Sequence, residues 1–128
     1  MKKNLLFIAL SFALTPGLFA MTFAGAGENM TYFEHAKLSV EHCERRGFSR
    51  RADYSAWRKK NEHTYRETVN AIRDEAAKRG LPKAEQDLVL TESIKAAKTL
   101  SQENISRKGV PCEKYEAVLQ MYSDLLKR

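Results

Sequence analysis

The three histidines are the side chains best suited to bind a metal ion or to act as a general base. His35 and His42 lie seven residues apart. On a helix they share one side, roughly 110° from the apolar stripe that contains Phe33 and Val40. His63 lies opposite the stripe of its own segment, and none of the three has the spacing of a zinc motif. We therefore expect surface histidines, and we keep a His-based metal-binding protein, with Glu34 or Glu41 as further ligands, as an alternative.

The two cysteines, Cys43 and Cys112, have no neighbouring partner of the Cys-x-x-Cys or Cys-x-x-Cys-His type. This spacing argues against a redox motif, a haem attachment and a catalytic thiol. An isolated pair in an exported protein favours a disulfide. Closing so long a loop would stabilise the fold by up to ~4 kcal/mol through the unfolded state.

The amino terminus has the pattern of a secretory signal peptide. A short basic start (Met1–Lys3) is followed by an apolar run (Leu5–Leu14) that is too short to span a bilayer. Two cleavage points are plausible, after Ala20 and after the A-x-A pattern that ends at Ala26. Ala20 is slightly preferred because the helix breaker Pro16-Gly17 lies at the usual distance from it. Residues 1–26 are therefore assigned to the signal peptide and cleavage region, and we expect a periplasmic or secreted bacterial protein.

Residues 27–128 are predicted to form one helical domain. Apolar residues recur at helical spacing, glycines and prolines mark the ends, and strand patterns are absent. The first predicted helix begins at the capping-box pattern of Thr31–Glu34 and ends at Gly47. The other three run from Asp53 to Arg79, from Pro82 to Gly109 and from Pro111 onward. Short turns favour an antiparallel up-down-up-down four-helix bundle, in which Cys43 and Cys112 lie at the same end. The fold class is thus an all-α bundle that a disulfide staples.

Basic residues are concentrated around the first predicted turn. The whole chain has a net charge of +6, and seven basic residues face one acid, Asp53, within 16 positions. We call them the basic segment: Arg45, Arg46, Arg50, Arg51, Arg58, Lys59 and Lys60. A solvated turn is the simplest interpretation. Arginine-rich surface with nearby aromatic residues is also typical of protein interfaces, and it attracts phosphate groups by charge.

The second predicted helix has a polar and aromatic inner face, which we call the polar interior: Trp57, Asn61, Tyr65 and Thr68. We expect it to face Tyr115 and Tyr122 of the last helix. A buried Asn needs hydrogen-bond partners, so this face is either a satisfied core network or a small-ligand pocket between helices.

No nucleophile elbow, phosphate loop or cofactor motif is present in the sequence, so we expect a protein that is not an enzyme and has no cofactor. The leading hypothesis is a non-enzymatic protein-binding module of the bacterial envelope, such as an inhibitor, an immunity-type protein or an accessory subunit. We expect it to bind an acidic surface of a partner protein through the basic segment. The alternative is an anionic-surface binder, whose ligand is lipopolysaccharide, phospholipid or nucleic acid.

Overall fold

The computed structural model describes residues 21–128. They form five α-helices and a short 3₁₀ turn: α1 (Phe23–Arg45), α2 (Arg51–Lys60), α3 (Glu62–Lys78), α4 (Lys83–Lys108), the 3₁₀ turn (Cys112–Lys114) and α5 (Tyr115–Leu125). The described chain contains no strand, so the all-α prediction is confirmed for it. Most of the predicted signal peptide, residues 1–20, lies outside the described residues. Between residues 21 and 128, no helix combines the length and the apolar character needed to cross a membrane.

Helix α1 is the centre of the fold and packs against all four other helices. Its predicted apolar stripe is fully or almost fully buried: Phe33, Ala36, Val40 and Cys43. The core consists of two clusters along this helix. One surrounds Phe33 and Cys43, and the other joins Ala26 and Met30 to Ile72 of α3.

The first helix begins at Phe23, eight residues before the predicted start at Thr31, and that prediction is wrong. The hydroxyl of Thr22 accepts a hydrogen bond from the backbone N–H of Gly25 at 2.9 Å, which caps the helix. The turn that follows buries Ala26 completely. Thr31 lies inside the helix, where its hydroxyl donates to a carbonyl one turn earlier. Burial of the first two turns therefore extends α1 beyond the capping-box pattern.

The predicted second helix is interrupted at Asn61, so the described residues hold five α-helices where the sequence predicts four. The side-chain amide of Asn61 donates to the carbonyl of Trp57 at 2.9 Å, and its backbone N–H donates to the same carbonyl at 3.1 Å. This local competition for a carbonyl is the usual way in which Asn disturbs a helix. The chain then continues as α3.

The predicted glycine stops are confirmed. Gly47, Gly80 and Gly109 each have a positive φ, between 68° and 90°, and each follows a helix end within two residues. Glycine adopts this conformation without steric cost, so the chain can reverse direction there. Pro82 occupies the position directly before the first residue of α4, and no side chain caps this end of the helix.

Candidate functional site

The disulfide joins the last turn of α1 to the start of the 3₁₀ turn, as predicted. Cys43 and Cys112 are bonded with an S–S distance of 2.07 Å and a Cα–Cα distance of 5.6 Å. Both are completely buried, beneath the turn that carries the first part of the basic segment. The bond therefore fixes two distant parts of the chain at one end of the molecule, which we call the disulfide end.

Arg50 fastens the α1–α2 turn to the same place. Its Nε atom donates to the carbonyl of Cys112 at 2.9 Å, and one Nη atom donates to the carbonyl of Glu113 at 3.3 Å. Asp53 lies 3.8 Å from the guanidinium. This half-buried arginine is therefore part of the framework and is not free to bind a partner.

Two more members of the basic segment are engaged within the protein. Arg51 forms a two-point ion pair with Glu44, with N–O distances of 2.6 and 3.0 Å, and this pair lowers the pKa of the Glu44 carboxyl. Arg58 pairs with Glu62, and its guanidinium carbon lies 3.8 Å from the ring centroid of Tyr65. Such cation–π contacts help to orient the arginine against the core.

The other four basic residues are exposed and form no ion pair within residues 21–128: Arg45, Arg46, Lys59 and Lys60. Lys59 and Lys60 end α2, where cations interact favourably with the helix dipole. They are separated from the disulfide end by the length of α2, about 15 Å. The basic segment is therefore not one continuous free surface.

The disulfide instead brings distant cations towards Arg45 and Arg46. Arg107 and Lys108 end α4, and Lys114 ends the 3₁₀ turn; all three are exposed and lie within five residues of Cys112. None of them forms an ion pair in the part of the chain that the structure describes. We call this set the disulfide-end surface: Arg45, Arg46, Arg107, Lys108 and Lys114. The last three could not be recognised from the sequence because they lie far from Arg45 along the chain.

The charge of this surface affects the pKa of a neighbouring histidine, His42. Partial burial is the main cause that lowers the pKa of His42, and the charges of Arg45 and Arg46 lower it further. The imidazole therefore favours its neutral form. The positive charge at this end remains on the arginine and lysine side chains.

The polar interior is brought together as a core hydrogen-bond network. The indole N–H of Trp57 donates to the hydroxyl of Ser123 at 2.8 Å, and the hydroxyl of Thr68 donates to the carbonyl of Thr64 at 2.8 Å. Tyr65 packs edge-on against Phe33, with ring centroids 5.0 Å apart. With the bond from Asn61 to the carbonyl of Trp57, these contacts give each of the four predicted residues a partner within the fold.

The last residues of the chain occupy the space beside this network. The side chain of Asn29 accepts a bond from the backbone N–H of Lys127 at 2.7 Å and donates to its carbonyl at 2.8 Å. The guanidinium of Arg128 donates to Thr64 at 2.7 Å and to Asn61 at 3.2 Å. The chain itself thus satisfies the polar interior, which favours the core-network interpretation over the ligand pocket.

Tyr115 and Tyr122, the two predicted aromatic neighbours of the polar interior, have different surroundings. Tyr122 packs edge-on against Trp57 at 6.2 Å between ring centroids, as expected. The hydroxyl of Tyr115 points to α1, where it donates to the carbonyl of Ala36 at 3.0 Å. Burial raises the pKa of Tyr115 to about 12, and it raises the pKa of Tyr122 as well.

The histidines do not converge. His35 is half-buried and is hydrogen-bonded to Tyr122 and, at 3.0 Å, to Asn104. His42 lies apart from it, in a groove of about 500 Å³ that also contains Glu34 and Glu41. Burial raises the pKa of the Glu34 carboxyl. His63 is exposed beside Glu67. Across residues 21–128, no three His, Cys, Asp or Glu side chains are grouped to hold a metal ion.

The chain matches no protein-family model, no curated protein and no solved structure. The candidate site is therefore defined by its own geometry. It is a cross-linked end of a helical domain, with five exposed cations supplied by three separate parts of the sequence.

Proposed function

We propose that this protein is a non-enzymatic protein-binding module of the bacterial envelope, such as an inhibitor, an immunity-type protein or an accessory subunit. It binds an acidic surface of its partner through the disulfide-end surface. One observation carries the proposal: five exposed cations that form no ion pair within residues 21–128 lie around the junction that the disulfide and Arg50 hold. Arg46 is the one of them with contacts to this junction, a hydrogen bond to Sγ of Cys112 at 4.0 Å and a cation–π contact with Phe48. Three of the five are arginine, which is enriched at protein interfaces.

Rigidity is the reason to favour a protein partner. Binding costs free energy when loops and side chains must be ordered, and a fixed backbone reduces that cost. The disulfide fixes α1 against the 3₁₀ turn, and Arg50 adds two hydrogen bonds across the same junction. A surface of this kind suits a partner of fixed shape.

The proposal includes an export route and a topology. A cleaved signal peptide directs the chain to the periplasm or the exterior, where a disulfide is stable. The helices follow the up-down-up-down order of a four-helix bundle, with α2 and α3 together as its second helix. The antiparallel order agrees with a disulfide between the end of α1 and the beginning of the last segment.

An anionic-surface binder is the second candidate function. The same five cations would attract lipopolysaccharide, phospholipid or nucleic acid, because phosphate groups need charge more than shape. Salt distinguishes the two candidates. Attraction by charge alone weakens steeply as ionic strength rises, whereas a packed interface persists in part.

The test is a cross-linking pull-down from native envelope extract at physiological and high salt. The bait is the tagged mature protein, beside a variant with Arg45→Glu, Arg46→Glu and Lys108→Glu. A matched control carries Lys78→Glu, Lys83→Glu and Lys95→Glu, which make the same change of charge on exposed residues away from the disulfide. Arg50 and Arg51 stay unchanged because both already have partners within the protein.

We expect one stoichiometric protein that persists in high salt, is retained by the control and is lost with the disulfide-end variant. If only lipid or nucleic acid is recovered, and high salt removes it, the protein is an anionic-surface binder instead. Equal loss with both variants would show that net charge matters and that this surface does not.

A further inference from the structure

Helices α4 and α5 form an open groove over α1, with a volume of about 530 Å³. We call it the α4–α5 groove. The residues that matter most are Tyr32, His35, Leu100, Arg107, Met121 and Leu125. It begins near the basic end of α4 and runs away from the disulfide.

The floor of the groove is fixed by hydrogen bonds between three helices. His35 of α1 is bonded to Tyr122 of α5 and to Asn104 of α4, the latter at 3.0 Å. The ring of Tyr122 also packs against that of Tyr32, with centroids 6.3 Å apart. These bonds hold α4 and α5 at a set distance, so the groove is present before any partner arrives.

The walls of the groove carry exposed apolar side chains. Among residues 21–128, five large apolar side chains are strongly exposed, and three of them line this groove: Leu100 at 57%, Met121 at 49% and Leu125 at 40%. Clustered exposed apolar residues mark binding sites, whereas single ones need no explanation. Methionine adds a flexible side chain that adapts to a partner.

One end of the groove is positively charged. Arg107 and Lys108 line it at the end of α4, and Glu103 is the one carboxylate among the described lining residues. Both cations belong to the disulfide-end surface. The groove therefore continues the surface of the proposed function into an apolar region.

The groove is long enough to take two turns of a helical ligand. Met121 and Leu125 are four residues apart on α5, and Leu100 and Lys108 are eight residues apart on α4. Eight residues correspond to about 12 Å, or two turns of helix. An amphipathic helix laid between two helices uses this kind of groove, with apolar side chains every three or four residues.

We propose that the α4–α5 groove receives an amphipathic helix of the partner protein, with apolar residues against Leu100, Met121 and Leu125 and acidic residues against Arg107 and Lys108. This inference rests on the proposed function and names the partner's binding element. A lipid acyl chain fits less well. Pockets for small molecules enclose most of their ligand, whereas these side chains stand out from the surface.

The experiment places the photo-crosslinker p-benzoylphenylalanine at position 121 of the full-length exported protein and irradiates it in envelope extract. The cross-linked peptide is then sequenced by mass spectrometry. Position 88 carries the same crosslinker in a control. Leu88 and Leu100 both lie on α4 with the same exposure of 57%, but Leu88 is outside the groove, so Leu88→Glu is the matched control for Leu100→Glu.

We expect position 121 to label a protein segment that has apolar residues at helical spacing and acidic residues at one end. Labelling should fall at least tenfold with Leu100→Glu or Arg107→Glu and change less than twofold with Leu88→Glu. Circular dichroism on each variant confirms that the exposed substitutions leave the fold intact.

Other outcomes overturn the inference in distinguishable ways. A lipid adduct, a second copy of this chain, a segment without helical spacing or equal labelling from position 88 excludes the proposed helix. An absent adduct, together with a partner recovered through Arg45, Arg46 and Lys108, leaves the proposed function standing and excludes the groove. When neither experiment recovers a protein, both proposals fail.

Discussion

At the scale of single residues, Asn29 is the clearest link between the two ends of the described chain. Its side chain makes two hydrogen bonds with the backbone of Lys127 and one, at 3.1 Å, with the hydroxyl of Thr68. Asn29 is completely buried. Such a group is costly to disturb, because its partners lose their bonds in a site that water does not readily enter.

We therefore predict that Asn29→Ala lowers the free energy of unfolding by about 2–3 kcal/mol. Urea denaturation followed by circular dichroism measures this. Glu28→Ala is the matched control, since Glu28 contacts the side chain of the same Lys127 through an exposed ion pair at 3.5 Å. We expect that control to change stability by less than about 0.5 kcal/mol. Equal effects of the two substitutions would contradict the assigned role of Asn29.

Tyr115 gives a second prediction at this scale. Its pKa in the folded protein is raised to about 12 by burial, from an ordinary value of 10.0. Between these two pH values the folded protein keeps the phenolic proton and the unfolded chain loses it, so unfolding releases a proton. Stability that is present below pH 10 is therefore lost as the pH rises towards 12.

We predict a declining melting temperature above pH 10 and a shallower decline in Tyr115→Phe, since Phe has no proton to release. Thermal unfolding of both proteins between pH 8 and pH 12 measures the two slopes. The variant is less stable at pH 8, because its lost hydroxyl contacts Ala36 and Ser39. Parallel curves for the two proteins would show that Tyr115 does not contribute to the pH dependence.

At the scale of elements, the helix ends were the most predictable feature. Gly47, Gly80 and Gly109 lie where the chain adopts a positive φ, and these positions are recognisable because other residues rarely tolerate them. The start of α1 was not predictable in this way. The pattern at Thr31 fits a cap, but tertiary burial of Ala26 makes the helix begin at Phe23 instead.

The disulfide is the strongest constraint between elements. It closes a loop with a sequence separation of 69 residues, between the end of α1 and the 3₁₀ turn. We predict that the double substitution Cys43→Ala and Cys112→Ala lowers the free energy of unfolding by about 4 kcal/mol, because the open chain has more conformational entropy when unfolded.

Urea denaturation of the double variant and of the reduced wild type measures this difference. Oxidised wild type is the reference, and the double variant with added reductant is the control for effects of the reductant alone. A loss below about 1 kcal/mol would mean that the disulfide serves to position the disulfide-end surface rather than to stabilise the fold.

At the scale of the whole molecule, two features could not be predicted from the sequence. These are which basic side chains are free and which contacts the C-terminal residues make. The concentration of Arg45 to Lys60 is visible in the sequence, but the internal roles of Arg50 and Arg51 depend on partners from other elements. Likewise, nothing local to Arg128 indicates that its guanidinium reaches Thr64 and Asn61. Contacts between distant parts of the chain decide which polar side chains lack a partner. Such contacts cannot be predicted from local patterns in a single sequence.

The fold also bears on where the proposed signal peptide is removed. Cleavage after Ala20 would keep Thr22, which caps α1, and Met21, whose sulfur lies 3.7 Å from the side chains of both Asn29 and Thr68. Cleavage after Ala26 would remove the cap and a fully buried side chain. Cleavage after Ala20 therefore preserves the contacts of the first turn of α1, and cleavage after Ala26 removes them.

We predict that the exported protein begins at Met21. Intact-mass spectrometry of the protein recovered from the periplasm or the medium measures its first residue directly. A variant produced to begin at Gly27 should be less stable by about 2 kcal/mol, from a lost cap of about 1 kcal/mol and the lost burial of Ala26. Urea denaturation of the two forms measures that difference. An exported protein that begins at Gly27 with unchanged stability would show that the first turn of α1 is dispensable, and that the contacts of residues 21–26 play no part in the mature fold.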